Sequence, residues 1–357
     1  MKVLITGVCG FVGSEIARGL AARGAIGGNV TVSGIDNFTR AGSELNRRPL
    51  KAAGIDVIHG DLRLAEDLDS LPAVDWVIDA AALPSVLAGL GNDNSSRRLM
   101  SHNLVSTVNI LEYCKRHKAG LILLSTSRVY NVPRLAGLPV REEGRAFTLD
   151  TAKPLPDGIS GDGISEDFST EAPVSLYGST KLASEQIALE YGEAFGFPVW
   201  INRCGVLAGA GQFGRIDQGI LSFWLHSYKQ RRRLEYIGFG GKGYQVRDFL
   251  HPSDLLSLIV KQFGEKGSAE RRIFNAGGGK ENTLSLRAMS DWCEQRFGAH
   301  TVLSSDVSRP YDIPWVVMDS DRASKRWGWS PAKPVGRILE EIAAHADSHP
   351  DWLSVSQ

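Results

Sequence analysis

The chain has 357 residues, and its 40 lysines and arginines balance its 40 aspartates and glutamates. That length allows a large core and two lobes, while the even balance excludes a basic nucleic-acid surface and an acidic tail. No apolar run reaches the length of a membrane span, and the only dense basic run, Arg231-Arg232-Arg233, reads as a helix end in water.

The N-terminus, Met1-Lys2-Val3-Leu4-Ile5-Thr6-Gly7, enters a strand pattern directly, with no signal peptide. The four cysteines, Cys9, Cys114, Cys204 and Cys293, are scattered and form no C-x-x-C, so neither zinc nor a disulfide framework is predicted. These features predict a cytoplasmic protein with reduced thiols, binding neither nucleic acid nor membrane.

Lys2–Thr6 is a short run of branched apolar residues and predicts a buried strand. The turn Gly7-Val8-Cys9-Gly10-Phe11-Val12-Gly13 follows, then a helical pattern over 14–20. Strand, glycine turn and helix are the context of a dinucleotide site. Gly7 takes the sharp turn, Gly10 admits the pyrophosphate, and Gly13 lets the helix pack on the strand. Amides at the helix N-terminus then face the phosphates.

A second strand, 30–35, ends at Asp36, where a carboxylate accepts from both adenosine ribose hydroxyls and repels a 2′-phosphate. Asn37 and Phe38 follow with no immediate arginine, which favours NAD over NADP. Asp56–His59 predicts a third strand, ending in Gly60-Asp61-Leu62, with Asp61 placed to accept from the adenine amino group. Trp76–Asp79 predicts a fourth strand, ending in Ala80-Ala81-Ala82, small enough for a cofactor to cross. Residues 94–117 predict one long helix carrying Asn103, and 121–124 a fifth strand ending in Ser125-Thr126-Ser127. Strands alternating with helices predict a Rossmann-type α/β fold: a doubly wound parallel sheet with its site at the strand C-termini.

Residues 134–172 are rich in Gly, Pro, Asp and Glu and read as a long loop, either a lid or rim beside the substrate or an idle surface insertion. Next comes Ser175-Leu176-Tyr177-Gly178-Ser179-Thr180-Lys181. Spacing of four puts Tyr177 and Lys181 on one helix face, a turn apart. A free tyrosine titrates at about pH 10, too high for a base near neutrality; a lysine ammonium one turn away favours the phenolate and lowers that pKa, and a nicotinamide cation nearby lowers it further. The pair predicts a general base for a hydroxyl proton.

A sixth strand is predicted at 199–202, after which Arg203-Cys204-Gly205-Val206-Leu207 leaves the sheet near the nicotinamide position. Further strands are predicted at 235–238 and 245–250, and helices at 284–297, 320–327 and 335–346. The boundaries follow: a NAD-binding Rossmann domain over 1–206, with 244–275 returning to it, and a smaller substrate-binding lobe from 207–243 and 276–350. Arg247 and Arg309 are candidate pyrophosphate ligands, because an arginine fork matches phosphate oxygens.

Together these pieces resemble the extended short-chain dehydrogenase/reductase family, the nucleotide-sugar epimerases and dehydratases. The resemblance rests on the glycine turn, Asp36, Asp61-Leu62, Ala80-Ala81-Ala82, Asn103, Ser125-Thr126 and Tyr177 with Lys181. It continues through Arg247-Asp248-Phe249-Leu250-His251-Pro252-Ser253-Asp254-Leu255, Arg309-Pro310-Tyr311-Asp312 and Gly328-Trp329-Ser330-Pro331. It implies Thr126, Tyr177 and Lys181 as catalytic residues.

Cofactor binding is implied for Gly7, Cys9, Gly10, Phe11, Val12, Gly13, Asp36, Asn37, Asp61, Leu62, Ala80, Ala81, Ala82, Asn103, Ser125, Tyr177, Lys181, Cys204 and Val206. Substrate binding is implied for Ser85, Thr126, Ser127, Arg128, Gln212, Phe213, Gln218, Arg247, Arg309 and Asp312. The family's 4,6-dehydratases carry an Asp-Glu pair after the catalytic threonine; Ser127 and Arg128 stand there here, which argues against dehydration.

Thr126-Ser127-Arg128-Val129-Tyr130, the stretch 212–219 and Gly243-Tyr244-Gln245-Val246-Arg247-Asp248 resemble epimerases of CDP-linked sugars acting at C2. The expected reaction is redox-neutral: a sugar carbon is oxidised by NAD and re-reduced on its other face. A UDP-hexose 4-epimerase is the alternative enzyme, and a non-catalytic NAD-binding sensor or scaffold the alternative of another class. The resemblance also implies a homodimer, paired through helix 94–117 and the Tyr177 helix, with contacts drawn from Ile110, Leu111, Leu182, Ile187 and Leu189, some of which must instead face the sheet.

Overall fold

A computed structural model of the chain describes residues 1–22, 30–91, 95–265 and 271–356. Its contacts divide into two units. The first comprises Met1–Val129, Leu176–Arg203 and Pro252–Phe274; the second comprises Tyr130–Ser175, Cys204–His251 and Asn275–Gln357. Residues 130–175 and 244–251, inside the first domain by the sequence boundaries, cluster with the second unit.

The first unit is built on a sheet that has seven strands among the described residues. Five of them are β1 (Lys2–Thr6), β2 (Thr31–Asp36), β3 (Asp56–His59), β4 (Trp76–Asp79) and β5 (Gly120–Thr126). The order across the sheet is Ile273–Ala276, Val199–Cys204, β5, β4, β1, β2, β3. The pairs β1–β2, β1–β4, β2–β3 and β4–β5 are all parallel.

The chain thus runs outward from β1 to β3, then restarts at β4 on the other side of β1. That reversal opens a crevice at the strand C-termini, where such sheets hold ligands. The sheet is parallel and covered on both faces, so its strands are continuous apolar runs, with Val3, Leu4, Ile5, Val77, Ile78, Leu121 and Ile122 all buried.

Helix 94–117 is not one regular helix. Asn94 lies outside the described residues; the rest comprises Ser95–Met100, a π turn at Ser101–Val105 and Ser106–His117. The π turn widens the helix at Asn103, a one-residue irregularity that hydrophobic periodicity does not register. Of the apolar residues on this helix and the Tyr177 helix, Ile110 and Leu111 face inward and are buried in the first unit's core, with Ile187 and Leu189 partly buried against it.

The second unit holds a sheet in which Val246–Leu250 pairs in parallel with Val206–Leu207 and Trp315–Val316, and antiparallel with Thr283–Ser285. Leu234–Ile237 pairs in parallel with Val302–Ser305. Helices Ile220–Lys229, Leu286–Phe297 and Val335–Ser348 pack there around Trp224, Leu225, Tyr236, Phe249, Met289 and Ile342. The sequence reading missed the first of these helices, which starts directly after Gly219 at φ 73°.

The expectation of a long loop over 134–172 is corrected. The helix Val132–Ala136 is capped by the Asn131 side chain, which accepts from Arg134 N at 2.8 Å. The hairpin Val140–Glu143/Ala146–Leu149 and the short pair Ile159–Ser160/Gly163–Ile164 follow. These strands of two to four residues fall below any window in which alternation can be read.

The segment is stitched into the second unit. Phe147 N donates to Tyr244 O at 2.9 Å and Ile164 N to Val317 O at 2.8 Å. Glu166 accepts from Asn275 N at 2.6 Å and pairs with Arg322 at 3.4 Å. Burial pushes the Glu166 carboxyl above its ordinary range, with the Asn275 amide opposing.

Candidate active site

The glycine turn closes the C-terminal end of β1. Gly7 sits at φ 61°, its N donating to Ile35 O at 2.9 Å, and Gly10 N donates to Gly7 O at 3.0 Å. The third glycine is required by contact: a Cβ on Gly13 would stand 2.3 Å from Gly7 O. Helix Phe11–Ala22 begins on this turn and lies close on the strand.

Asp36 ends β2 against the turn. Its carboxylate accepts from Cys9 N at 2.9 Å and from Phe38 N at 2.8 Å. Burial raises its pKa, while those backbone donors oppose the shift. The buried Cys9 thiol is pushed up to about 12 by burial and by Asp36, so it stays a thiol.

Asp61 is engaged differently. Arg63 Nη2 reaches its Oδ2 at 2.5 Å and Asn37 Nδ2 at 3.3 Å, and the Arg63 hydrogen bond, ahead of all other causes, holds the carboxyl well below the usual range. Leu62 is buried, its carbonyl accepting from Asn109 Nδ2 at 2.8 Å. Ala80 and Ala81 donate their amides to Thr6 Oγ1 at 3.1 and 3.2 Å. A Cβ on Gly7 would meet Ala81 Cα at 3.0 Å, so the ends of β1 and β4 touch at the crevice. Ala82 is exposed and Ser85 half-buried in the turn beyond.

The helix Leu176–Phe195 carries Tyr177 and Lys181, buried to 6% and 3% exposure. It packs on β5 and on the turn Ser127–Val129, so Thr126, Ser127 and Arg128 lie in the same unit. Asn103, in the π turn, steadies the helix from the other side. Its Oδ1 accepts from Leu83 N at 2.8 Å and its Nδ2 donates to Thr180 Oγ1 at 3.1 Å.

Ser125 Oγ donates to Glu185 Oε1, and Glu185 is clamped by Arg203, whose Nη2 reaches Oε2 at 2.7 Å. The sequence placed Arg203 at the end of the sixth strand but gave it no role, and did not single out Glu185. The available signal was a glutamate two turns past Tyr177, on its helix face, and an arginine closing an apolar strand.

The remaining expected residues belong to the second unit. Arg247 Nη2 lies 3.8 Å from Asp312 Oδ1, and Gln245 Nε2 donates to Asp312 Oδ2 at 3.3 Å. Arg309, half-buried, accepts from Asp312 N on its carbonyl at 3.3 Å. Gln212 Nε2 donates to Leu207 O at 2.8 Å. Phe213 is buried with its ring stacked on Trp352 at 5.2 Å, which is packing within the unit. Gln218 pairs with Arg215 through its backbone, while Cys204 and Val206 start the second unit at the end of strand Val199–Cys204. Among the described residues no His, Cys, Asp and Glu group could hold a metal ion, and no helix is long and apolar enough to cross a membrane.

A glycine turn too tight for a Cβ at its third glycine, a carboxylate at the end of β2 and small residues at the end of β4 fit a dinucleotide. The fold and these residues define a nucleotide-cofactor enzyme of Rossmann type. The chain belongs to the NAD dependent epimerase/dehydratase family, which it matches over residues 3–277. It is an NAD-dependent enzyme of that family.

It is 28% identical over 343 residues to the CDP-paratose 2-epimerase of Salmonella typhi, spanning 93% of this chain and 95% of that protein. It is 25% identical to the UDP-glucose 4-epimerase of Corynebacterium glutamicum, spanning 96% of this chain and 94% of that one. The crystal structure of a mutant UDP-glucuronic acid 4-epimerase from Bacillus cereus, with UDP-4-deoxy-4-fluoro-glucuronic acid and NAD, superposes with a TM-score of 0.78. Its identity is 25%, and the match covers 98% of this chain and 99% of that one.

The purified protein is expected to carry NAD(H), and Gly13→Ala to lose most of it. Chromatography of the nucleotide released on denaturation checks both. NADP(H) as the main species would overturn the role given to Asp36.

Proposed function

We propose that this enzyme epimerises a nucleotide-diphosphate sugar, and that its substrate is CDP-linked: CDP-paratose and CDP-tyvelose, interconverted at C2. The observation that carries the reaction class is the first unit's catalytic set. Tyr177 and Lys181 are buried one turn apart on a helix packed against β5. Thr126 ends that strand, with Ser127 and Arg128 rather than a carboxyl pair after it.

A bound NAD would supply the hydride acceptor, and then the hydride donor, for the reacting sugar carbon. Tyr177 takes the hydroxyl proton from that carbon and gives it back to the carbonyl oxygen after the sugar has turned. Lys181 holds the phenolate by its charge, and Thr126 hydrogen-bonds the reacting oxygen. Asn103 keeps the helix in place through Thr180. Asp36, Gly7, Gly10 and Gly13 seat the cofactor. Arg247 and Arg309 anchor the diphosphate, with Asp312 beside Arg247, leaving the sugar able to present either face. With no acid beside Thr126 to protonate a leaving hydroxyl, water is retained.

The CDP assignment is supported by the relative from Salmonella typhi and by the stretches around Thr126, Gln212 and Arg247. NMR of the product from CDP-paratose or CDP-tyvelose tests it, with inversion at C2 expected. No turnover of either, with inversion of a UDP-hexose at C4, would replace the substrate and keep the base.

A further inference from the structure

The carboxylate of Glu185 does no chemistry in the reaction above, yet it is fully buried. It lies one turn beyond Lys181 and two beyond Tyr177 on helix Leu176–Phe195, so the three share a face. Its Oε1 accepts from Ser125 Oγ and from Arg203 Nε at 3.1 Å; its Oε2 accepts from Arg203 Nε at 3.1 Å and Nη2 at 2.7 Å. Ser125 immediately precedes Thr126 at the end of β5, and Arg203 stands near the end of the neighbouring strand Val199–Cys204.

We infer that Glu185 is a positioning residue, tying the helix of the proton acceptor to the two strand ends beside it and so fixing Tyr177 relative to Thr126. The inference rests on the reading of Tyr177 as the base. A buried ion pair is by itself a poor stabiliser, since apolar residues of the same volume serve as well. What it supplies is direction: the carboxylate accepts from two different strands, and neither link survives a slide or rotation of the helix.

Proton transfer demands a donor and acceptor within about 3 Å, and a misplacement of about 1 Å can cost a factor of about 100. Besides the Asn103–Thr180 bond, the helix has a further tether, Ser184 Oγ to Thr107 Oγ1 at 3.0 Å. That one reaches helix Ser106–His117 and no strand end.

The Ser125 and Ser184 tethers supply the test. Ser125→Ala removes the link to β5 while leaving Glu185 paired with Arg203; Ser184→Ala removes a comparable buried hydroxyl on the other side. The Ser125 hydroxyl is engaged by Glu185, so the cofactor contact implied for Ser125 falls to its backbone; Ser125→Ala is expected to lower kcat about tenfold, with KM and NAD content unchanged, while Ser184→Ala keeps the wild-type kcat. Amide exchange over residues 176–181, measured without sugar substrate, is expected to quicken in Ser125→Ala more than in Ser184→Ala.

An unchanged kcat in Ser125→Ala, an equal fall in both variants, or a fall matched by lost NAD would overturn the inference, as would equal exchange in the two. If the wild-type protein turned over no nucleotide sugar, the function proposed above would fail by itself, and exchange would still decide whether the tether exists.

Discussion

Tyr177→Phe is expected to lower kcat by about a thousandfold, within the range for loss of a general base, equivalent to about 4 kcal/mol of transition-state stabilisation. The substitution deletes one oxygen from a buried ring, so fold and cofactor content should stay as in the wild type. Tyr177 begins a helix whose hold on the sheet passes through Glu185, and on the π turn through Thr180. Neither hold uses the phenol. Steady-state kinetics with released-NAD chromatography check this; a loss of less than tenfold would remove Tyr177 from the proton path.

Arg203→Leu is expected to cost about 3–5 kcal/mol of stability, because it leaves the Glu185 carboxylate buried without its cation. Glu185 retains only the Ser125 hydroxyl among the described contacts, and its carboxylate is fully buried in the helix–sheet interface. Removing both charges, as Arg203→Leu with Glu185→Leu, is expected to recover most of that loss, since no lone charge remains. The double variant should still be slow, having lost the link to β5. Urea unfolding gives the stabilities. A single variant as stable as the wild type would show that the pair carries no such burden.

The parts of the fold that the sequence discloses are those with strong local grammar. Lys2–Thr6 followed by the glycine turn can be little else than a first strand and helix, because Gly7 and Gly13 are needed by backbone conformation and by contact. Asp36 and Tyr177 with Lys181 are legible for the same reason: each sits at a fixed place relative to an element that is itself legible.

The hidden parts depend on contacts between distant residues. The π turn at Asn103 follows no periodicity, yet Asn103 bonds Leu83 and Thr180, 20 and 77 residues away. Glu185 and Arg203 look like an ordinary helix acid and strand base until Ser125 joins them across 60 residues. In 134–172, turn residues outnumber apolar ones, and pairing to Tyr244 and Val317 makes them structure. Phe213, implied as a substrate contact, is buried with its ring stacked on Trp352, a partner at the far end of the chain.

The central claim is that one carbon is oxidised and re-reduced without its hydrogen meeting solvent. The direct measurement is NMR and mass analysis of product formed from CDP-paratose or CDP-tyvelose in deuterated water. The account predicts inversion at C2 with no deuterium on that carbon and no change of mass. Deuterium at C2 would mean proton abstraction from carbon rather than hydride transfer, and loss of a water mass would mean dehydration; either contradicts it.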